Sequence, residues 1–205
     1  MKIALIGGTG NFGMALAVRL REAGYAVTIG SRDAERAAAA AAELGVEGAT
    51  NEAAARAADL VVLTTKADGA VETARSLREA IGTTPVLSVA AELSFTKGGV
   101  LPTDEATSIA QRIQDELDGP VVAGLHSLAA SNLGGVEAPD EDTLVCGDDP
   151  EAKAAVLELA AKITSGRAID AGPLASARAL EGMTAVIVNV NKRYKAHAGL
   201  RITGL

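Results

Sequence analysis

The sequence predicts an α/β fold: a doubly wound parallel sheet covered on both faces by helices, followed by a C-terminal helical segment. Three observations predict it. Short continuous apolar runs alternate along the chain with stretches of helical periodicity. The first run ends in a glycine-rich loop that opens a helix. The core must be aliphatic, because 48% of the 205 residues are hydrophobic while aromatics make up only 2%.

Each element follows in order. Lys2 to Gly7 reads as a buried parallel strand. Gly8-Thr9-Gly10-Asn11-Phe12-Gly13 comes next, then Met14 to Ala23 with apolar residues at helical spacing and Gly24 as the stop. Tyr25 to Ile29 is the second strand, and Gly30-Ser31-Arg32-Asp33 follows it directly. Glu35 to Leu44 is helical by its alanine content, with Gly45 ending it. Asn51 caps a further Ala-rich helix that closes at Asp59. Leu60–Thr65, Pro85–Ala90, Val121–His126 and Thr143–Cys146 are the third to sixth strands, and Arg167–Asp170 a seventh. Helical stretches occupy 68–81, 104–117 and 150–163. The acidic segment from Gly134 to Asp142 is the loop expected to move most. Ala175 to Tyr194 reads as one long helix, apolar around most of its circumference and so buried against the sheet or a second subunit.

Charge and cysteine usage narrow the function. Nineteen Lys and Arg against 26 Asp and Glu give a net charge of −7. A phosphate polymer needs a basic stripe and none is visible, so nucleic acid is not an expected partner. The same balance disfavours an anionic lipid surface, and the longest apolar runs fall short of a membrane span. The apolar run after Met1-Lys2 is too short for a secretory signal. Cys146 is the single cysteine, reads as a core thiol, and suits a reducing, cytoplasmic compartment. No metal-ligand spacing is present, so no metal is expected.

The glycine string gains weight from its place between a strand and a helix, which makes the predicted fold Rossmann-type. Gly8 would permit the tight turn, Gly10 let the backbone approach a pyrophosphate, and Gly13 let helix and strand pack closely. Unpaired N–H groups at the helix start would face the phosphates. After the second strand, NAD selection calls for a carboxylate to accept from the ribose 2′-OH. This chain has Ser31 and Arg32 there, with Arg36 one helical turn further on. Two guanidiniums and a hydroxyl suit the 2′-phosphate of NADP, each charge-assisted contact being worth about 1.5–3 kcal/mol. An arginine near a helix N-terminus is unfavourable unless an anion balances it. Thr9 can add a second hydroxyl. NADP is therefore the expected cofactor.

Proton-transfer machinery is sparse. No Tyr-x-x-x-Lys is present, and Tyr194 and Lys195 are adjacent and point apart on a helix. His126 ends the fifth strand, at the edge where ligands bind, and reads equally as a structural histidine; His197 reads as surface. Hydride exchange between two redox cofactors needs only positioning, and that fits the inventory.

The chain resembles the coenzyme F420-dependent NADP oxidoreductases over nearly its whole length. The resemblance is carried by Ile6-Gly-Gly-Thr-Gly-Asn-Phe-Gly13, Gly30-Ser-Arg32, Val145-Cys-Gly-Asp-Asp149, Asp170-Ala-Gly-Pro-Leu174, and the ending Asn191 to Gly199 with Arg201 to Gly204. It implies that Thr9, Ser31, Arg32 and Arg36 hold the 2′-phosphate. It implies a deazaflavin, coenzyme F420, as co-substrate near His126, Ser127, Leu128, Arg178 and Thr184, with backbone contacts from Ser88, Val89 and Ala90. The chain departs from the family at Thr65-Lys66-Ala67, commonly Ile-Pro-Trp, at Leu128-Ala129, where a proline is usual, and at Ala90-Ala91-Glu92. The expectation is direct hydride transfer between NADP(H) and F420, with no certain catalytic residue and His126 as an orienting hydrogen-bond donor. Residues 1–165 form the NADP-binding unit, and 166–205 complete the acceptor site and offer a homodimer interface. The alternatives are reduction of another acceptor, a flavin or a small imine, and an NADP-binding sensor without turnover.

Overall fold

A computed structural model describes residues 1–205. The elements are β1 (Lys2–Ile6), α1 (Asn11–Glu22), β2 (Ala26–Ser31), α2 (Ala34–Leu44), β3 (Glu47–Thr50), α3 (Asn51–Arg56), β4 (Leu60–Leu63), α4 (Ala67–Ser76), α5 (Arg78–Ile81) and β5 (Val86–Ser88). They continue with β6 (Leu93–Thr96), β7 (Gly99–Pro102), α6 (Ile109–Gln114), β8 (Val121–Gly124), α7 (Ala130–Leu133), β9 (Thr143–Gly147), α8 (Pro150–Ile163), β10 (Ala168–Asp170) and α9 (Ala177–Tyr194). Eight strands form one sheet in the order β10-β9-β8-β5-β4-β1-β2-β3, and β6 and β7 make a separate hairpin.

The α/β, Rossmann-type reading holds, with one correction. Strands β3, β2, β1, β4, β5 and β8 are parallel. β9 pairs antiparallel with β8, and β10 is parallel to β9, so the last two strands run against the other six. The cause is the connection after β8. Its only helix is the four-residue α7, too short to carry the chain back across the sheet. The chain therefore re-enters from the edge it left. α8 does cross over, and β10 regains the direction of β9.

Strand alternation divides the core. Ile3 and Leu5 pack on one side with Leu16, Leu20, Val156 and Leu159 from α1 and α8. Ala4 and Ile6 pack on the other with residues of α3 to α6 and the start of α9. Two features of the strand layout were not expected, besides the short helix α7. β3 has little apolar character and pairs at the sheet edge, where Gly48 fits under α2: a Cβ there would lie 2.6 Å from the Ala37 carbonyl. The β6–β7 hairpin is the other.

Helix boundaries shift for local reasons. α2 starts on Asp33, whose carboxylate accepts from the N–H groups of Glu35 (2.9 Å) and Arg36 (3.2 Å). Thr50, not Asn51, caps α3, accepting from Ala53 N–H at 3.2 Å. Asn51 turns inward and accepts from Gly7 N–H at 3.2 Å. The predicted 68–81 helix breaks at Leu77, and 104–117 shortens to α6 behind a Ser108/Gln111 capping box.

The 134–142 loop is anchored at both ends instead of free. The buried Arg19 guanidinium donates to the carbonyls of Leu133 (2.7 Å), Gly135 and Glu137 (both 2.5 Å). Asp142 is fully buried, paired with Arg167 and Arg201 and accepting from Ile202 N–H at 2.9 Å. Arg167 beside it holds its carboxyl well below the usual carboxylate range. α9 is covered on one side only, by burial of Ala177, Leu180, Glu181 and Ala185, while Val186, Val190 and Tyr194 face solvent. No helix is long and apolar enough to cross a membrane.

Candidate active site

The carboxyl ends of β1 and β4 flank the point where strand order reverses, and the glycine-rich loop crosses it. The left-handed residue is Gly7 (φ +71), one position before the glycine expected to make the turn. Gly8 and Gly13 are required by packing: a Cβ on Gly8 would lie 2.7 Å from the Leu5 carbonyl, and one on Gly13 would lie 2.6 Å from the Gly8 carbonyl. Gly10 differs. Its φ is −82, and a Cβ would meet nothing closer than 3.9 Å. Nothing in the fold demands glycine there. It caps α1 without any side-chain acceptor, so the first-turn N–H groups stay open to an anion. Thr9, Asn11 and Phe12 flank this cradle.

At the end of β2, Ser31 is buried and its Oγ accepts from Asp33 N–H at 3.2 Å. Asp33 is the nearest carboxylate in sequence, and its oxygen is engaged in capping α2. Arg32 and Arg36 are exposed and enter no ion pair. The cradle and this cationic pair fit a dinucleotide with a 2′-phosphate.

Beside the loop opens a cleft of about 770 Å³. Of the predicted residues, Phe12, Val89, Ala90, His126, Leu128 and Thr184 line it. Three others sit elsewhere. Ser88 is fully buried below the floor. Ser127 is buried, its Oγ donating to the Asp142 carbonyl at 3.2 Å. Arg178 does not line the cleft; it donates to the carbonyls of Thr103, a lining residue, and Glu105, so it supports the cleft from behind. Thr64, Leu93 and Phe95 line the cleft and were not foreseen. The alternation of Leu93 and Phe95 is a strand signal, but four residues are too few to read it from. The departures from the family pattern at Thr65-Lys66-Ala67 and Ala90-Ala91-Glu92 all line the cleft, and Glu92 is paired with Arg112 at 2.7 Å.

His126 is 7% exposed. Its Nε2 lies 3.2 Å from the Ala90 carbonyl, which can only accept, so Nε2 carries the proton. Nδ1 then presents a buried lone pair with no partner. The free nitrogen is an acceptor, where a donor was expected. Burial pushes the imidazole down to about 4, so it is neutral at pH 7. Leu125 before it takes φ +66, an uncommon strain for a leucine that turns the chain out of β8 and into the cleft. Burial pushes the Cys146 thiol up to about 12, leaving it inert in the core.

The family described as coenzyme F420-dependent NADP oxidoreductase matches residues 2–92. The F420-dependent NADP reductase of Methanothermobacter thermautotrophicus is 39% identical, the alignment covering 100% of this chain and 96% of that protein. The enzyme of the same name from Methanothermobacter marburgensis is 37% identical over 100% and 99%. A solved Arthrobacter structure, provisionally described as an F420-dependent NADP reductase, superposes with a TM-score of 0.87 at 27% identity, covering 100% of both chains. With identities this high along the full chain, and the glycine cradle and arginine pair built as described, the chain belongs to the F420-dependent NADP reductase family.

Proposed function

We propose that this oxidoreductase transfers a hydride directly between NADP(H) and coenzyme F420. One observation carries the reading: an anion cradle with two unpaired arginines opens onto a largely apolar cleft whose only histidine is neutral and already hydrogen-bonded. Such a site orients two ligands and excludes water. Its histidine is not an ionised acid or base, and of the charged side chains on its lining, Lys66, Asp68 and Glu92, the last is held by Arg112. NADP(H) and F420, when bound, supply the redox chemistry.

The chain's own residues divide the work. The α1 N-terminus and Gly10 receive the pyrophosphate, while Thr9, Ser31, Arg32 and Arg36 receive the 2′-phosphate. Val89, Ala90, Leu125 and Leu128 form the apolar wall that keeps water from the transferring centre. His126 offers Nδ1 as an acceptor for an N–H or O–H of the acceptor ring, while Thr184 fixes its carbonyl.

Two further readings belong to the proposal. The exposed stripe Val186, Val190, Tyr194 repeats every four residues along α9 and is covered by a second copy of the chain in a homodimer. A lone buried thiol and no disulfide suit the cytoplasm. Mixing the protein with NADPH and F420 and following absorbance at about 420 nm tests the reaction. Bleaching supports it. Turnover with a flavin or an imine and none with F420 replaces the acceptor, and nucleotide binding with no turnover at all makes the protein a sensor.

A further inference from the structure

The chain has only four aromatic side chains, and both phenylalanines line the cleft. Phe12 comes from the first turn of α1, and Phe95 from the β6–β7 hairpin. Phe95 is 71% exposed, so its ring contributes little to the core. It is nevertheless held in place. The hairpin register sets Phe95 opposite Val100 and Leu93 opposite Pro102, so these four side chains share one face. Val100 is buried and clamped to α9: its N–H donates to Asn189 Oδ1 at 2.8 Å, and Asn189 Nδ2 donates to its carbonyl at 2.7 Å. Gly99 makes the clamp possible, with φ +136 and room for no Cβ, which would lie 2.8 Å from Asn189 Oδ1. Lys192, one turn further along α9, places Nζ 5.4 Å from the Phe95 ring centroid, within cation–π range. The hairpin is thus pinned directly across from Phe95, and the ring stands at the cleft with an open surface.

Phe95 is separate from the exposed apolar residues nearby. Leu101 pairs with Ser94 and lies on the opposite face of the hairpin. Val186 and Val190 sit two positions from Thr184, Val188 and Lys192, about 200° around the helix from the side that meets the cleft and Phe95. A flat partner pressed on either of those surfaces leaves Phe95 uncovered.

We infer that Phe95 is the outer wall of the acceptor subsite, packing its ring on the planar conjugated ring of the acceptor. It thereby selects flat, extended acceptors over small imines. The inference rests on the hydride-transfer reading above and deepens it: Phe95 sets acceptor affinity and shape selection and leaves nucleotide binding alone. An offset or edge-on aromatic contact of this kind, with the apolar area it buries, changes affinity about tenfold.

The test compares the whole protein with its Phe95→Ala, Phe95→Leu and Phe95→Tyr variants. F420 binding is read by quenching of its fluorescence with NADP+ present, and kcat and KM from NADPH-driven bleaching. Alanine and leucine should each raise the Kd and KM for F420 about tenfold, tyrosine should retain them, and kcat and the KM for NADPH should stay within about twofold. Leucine behaving as phenylalanine, or alanine as wild type, overturns the inference. So does a change in sedimentation with Phe95→Ala that moves both substrates' constants together, since that makes Phe95 an assembly residue. If the wild type neither binds nor reduces F420, the hydride-transfer reading falls for that acceptor. The same four proteins titrated with riboflavin then decide Phe95, and equal quenching by all four overturns its role.

Discussion

Thr184 Oγ1, on the C-terminal helix, donates to the main-chain carbonyl of His126 at 3.0 Å across 58 residues of sequence. This bond ties α9 to the segment that leaves β8 in a strained turn at Leu125. Ser127, next in the chain, is tied in turn to Asp142, whose own groups are held by Arg167 and the C-terminal tail. The cleft wall is therefore positioned from the far end of the chain, although no residue beyond 194 lines it.

Thr184→Val keeps the shape and removes the donor, leaving a buried carbonyl short of its partner. Stability should fall by about 1–3 kcal/mol. Urea denaturation measures this, and steady-state kinetics should show the F420 KM rising while the NADPH KM holds. Unchanged values for all three would mean that Thr184 does not position His126.

Arg32 and Arg36 stand free at the end of β2, so their nucleotide role has a clean readout. Arg32→Ala should weaken NADPH by about 1.5–3 kcal/mol, roughly ten- to a hundredfold, and leave NADH nearly unchanged. Titration of both nucleotides checks it. An equal loss for the two removes the 2′-phosphate assignment.

How much of this was legible in the sequence depended on whether the signal was local. β1, the glycine loop and β2 were readable because an apolar run, a glycine spacing and Ser31-Arg32 lie within a few residues of one another. The direction of β9 was not. Thr143 to Cys146 reads the same way whichever end enters first, and the deciding fact is that the 125–142 connection contains no crossover helix. Gly7 was passed over because motif spacing begins at Gly8, whereas the positive φ is imposed by the chain leaving β1 beneath Thr65. Arg178 was placed near the acceptor by resemblance. Its donors meet two carbonyls of the 103–105 loop, a contact that no spacing rule reveals.

The buried imidazole of His126 links stability to pH. Its value is depressed from 6.5 to about 4 in the folded chain, so between these values the unfolded chain binds the extra proton. Stability should therefore fall as pH drops from about 6.5 to 4 and gain no further loss from this group below 4. The full effect is about 3 kcal/mol by the usual conversion of pKa to free energy. Asp142 adds a separate loss at lower pH, as its carboxyl, held down by Arg167, takes up a proton. Urea titrations across this range should show a flatter acid limb in His126→Gln between pH 6.5 and 4. Chemical-shift titration giving His126 an ordinary imidazole value would reject the buried neutral form.

Gly10 and Gly13 should separate binding from folding. A methyl on Gly13 collides with the Gly8 carbonyl at 2.6 Å, between two backbone segments that cannot both move. Gly13→Ala should then destabilise the free protein by about 1–3 kcal/mol, as overpacking does. A methyl on Gly10 meets nothing within 3.9 Å and the backbone there is ordinary. Gly10→Ala should change the stability of the free protein by less than about 1 kcal/mol, the difference between these residues at a helix N-cap. Its methyl would nevertheless occupy the approach to the α1 N-terminus and push the pyrophosphate away from its donors. Loss of one or two charge-assisted hydrogen bonds would lower nucleotide affinity about ten- to a hundredfold, for NADPH and NADH alike, unlike Arg32→Ala. Melting curves and nucleotide titrations on the two variants check both halves. A Gly10→Ala protein that is stable and binds NADPH as the wild type does would show that no ligand approaches the backbone at Gly10, and the phosphate cradle would have to lie elsewhere.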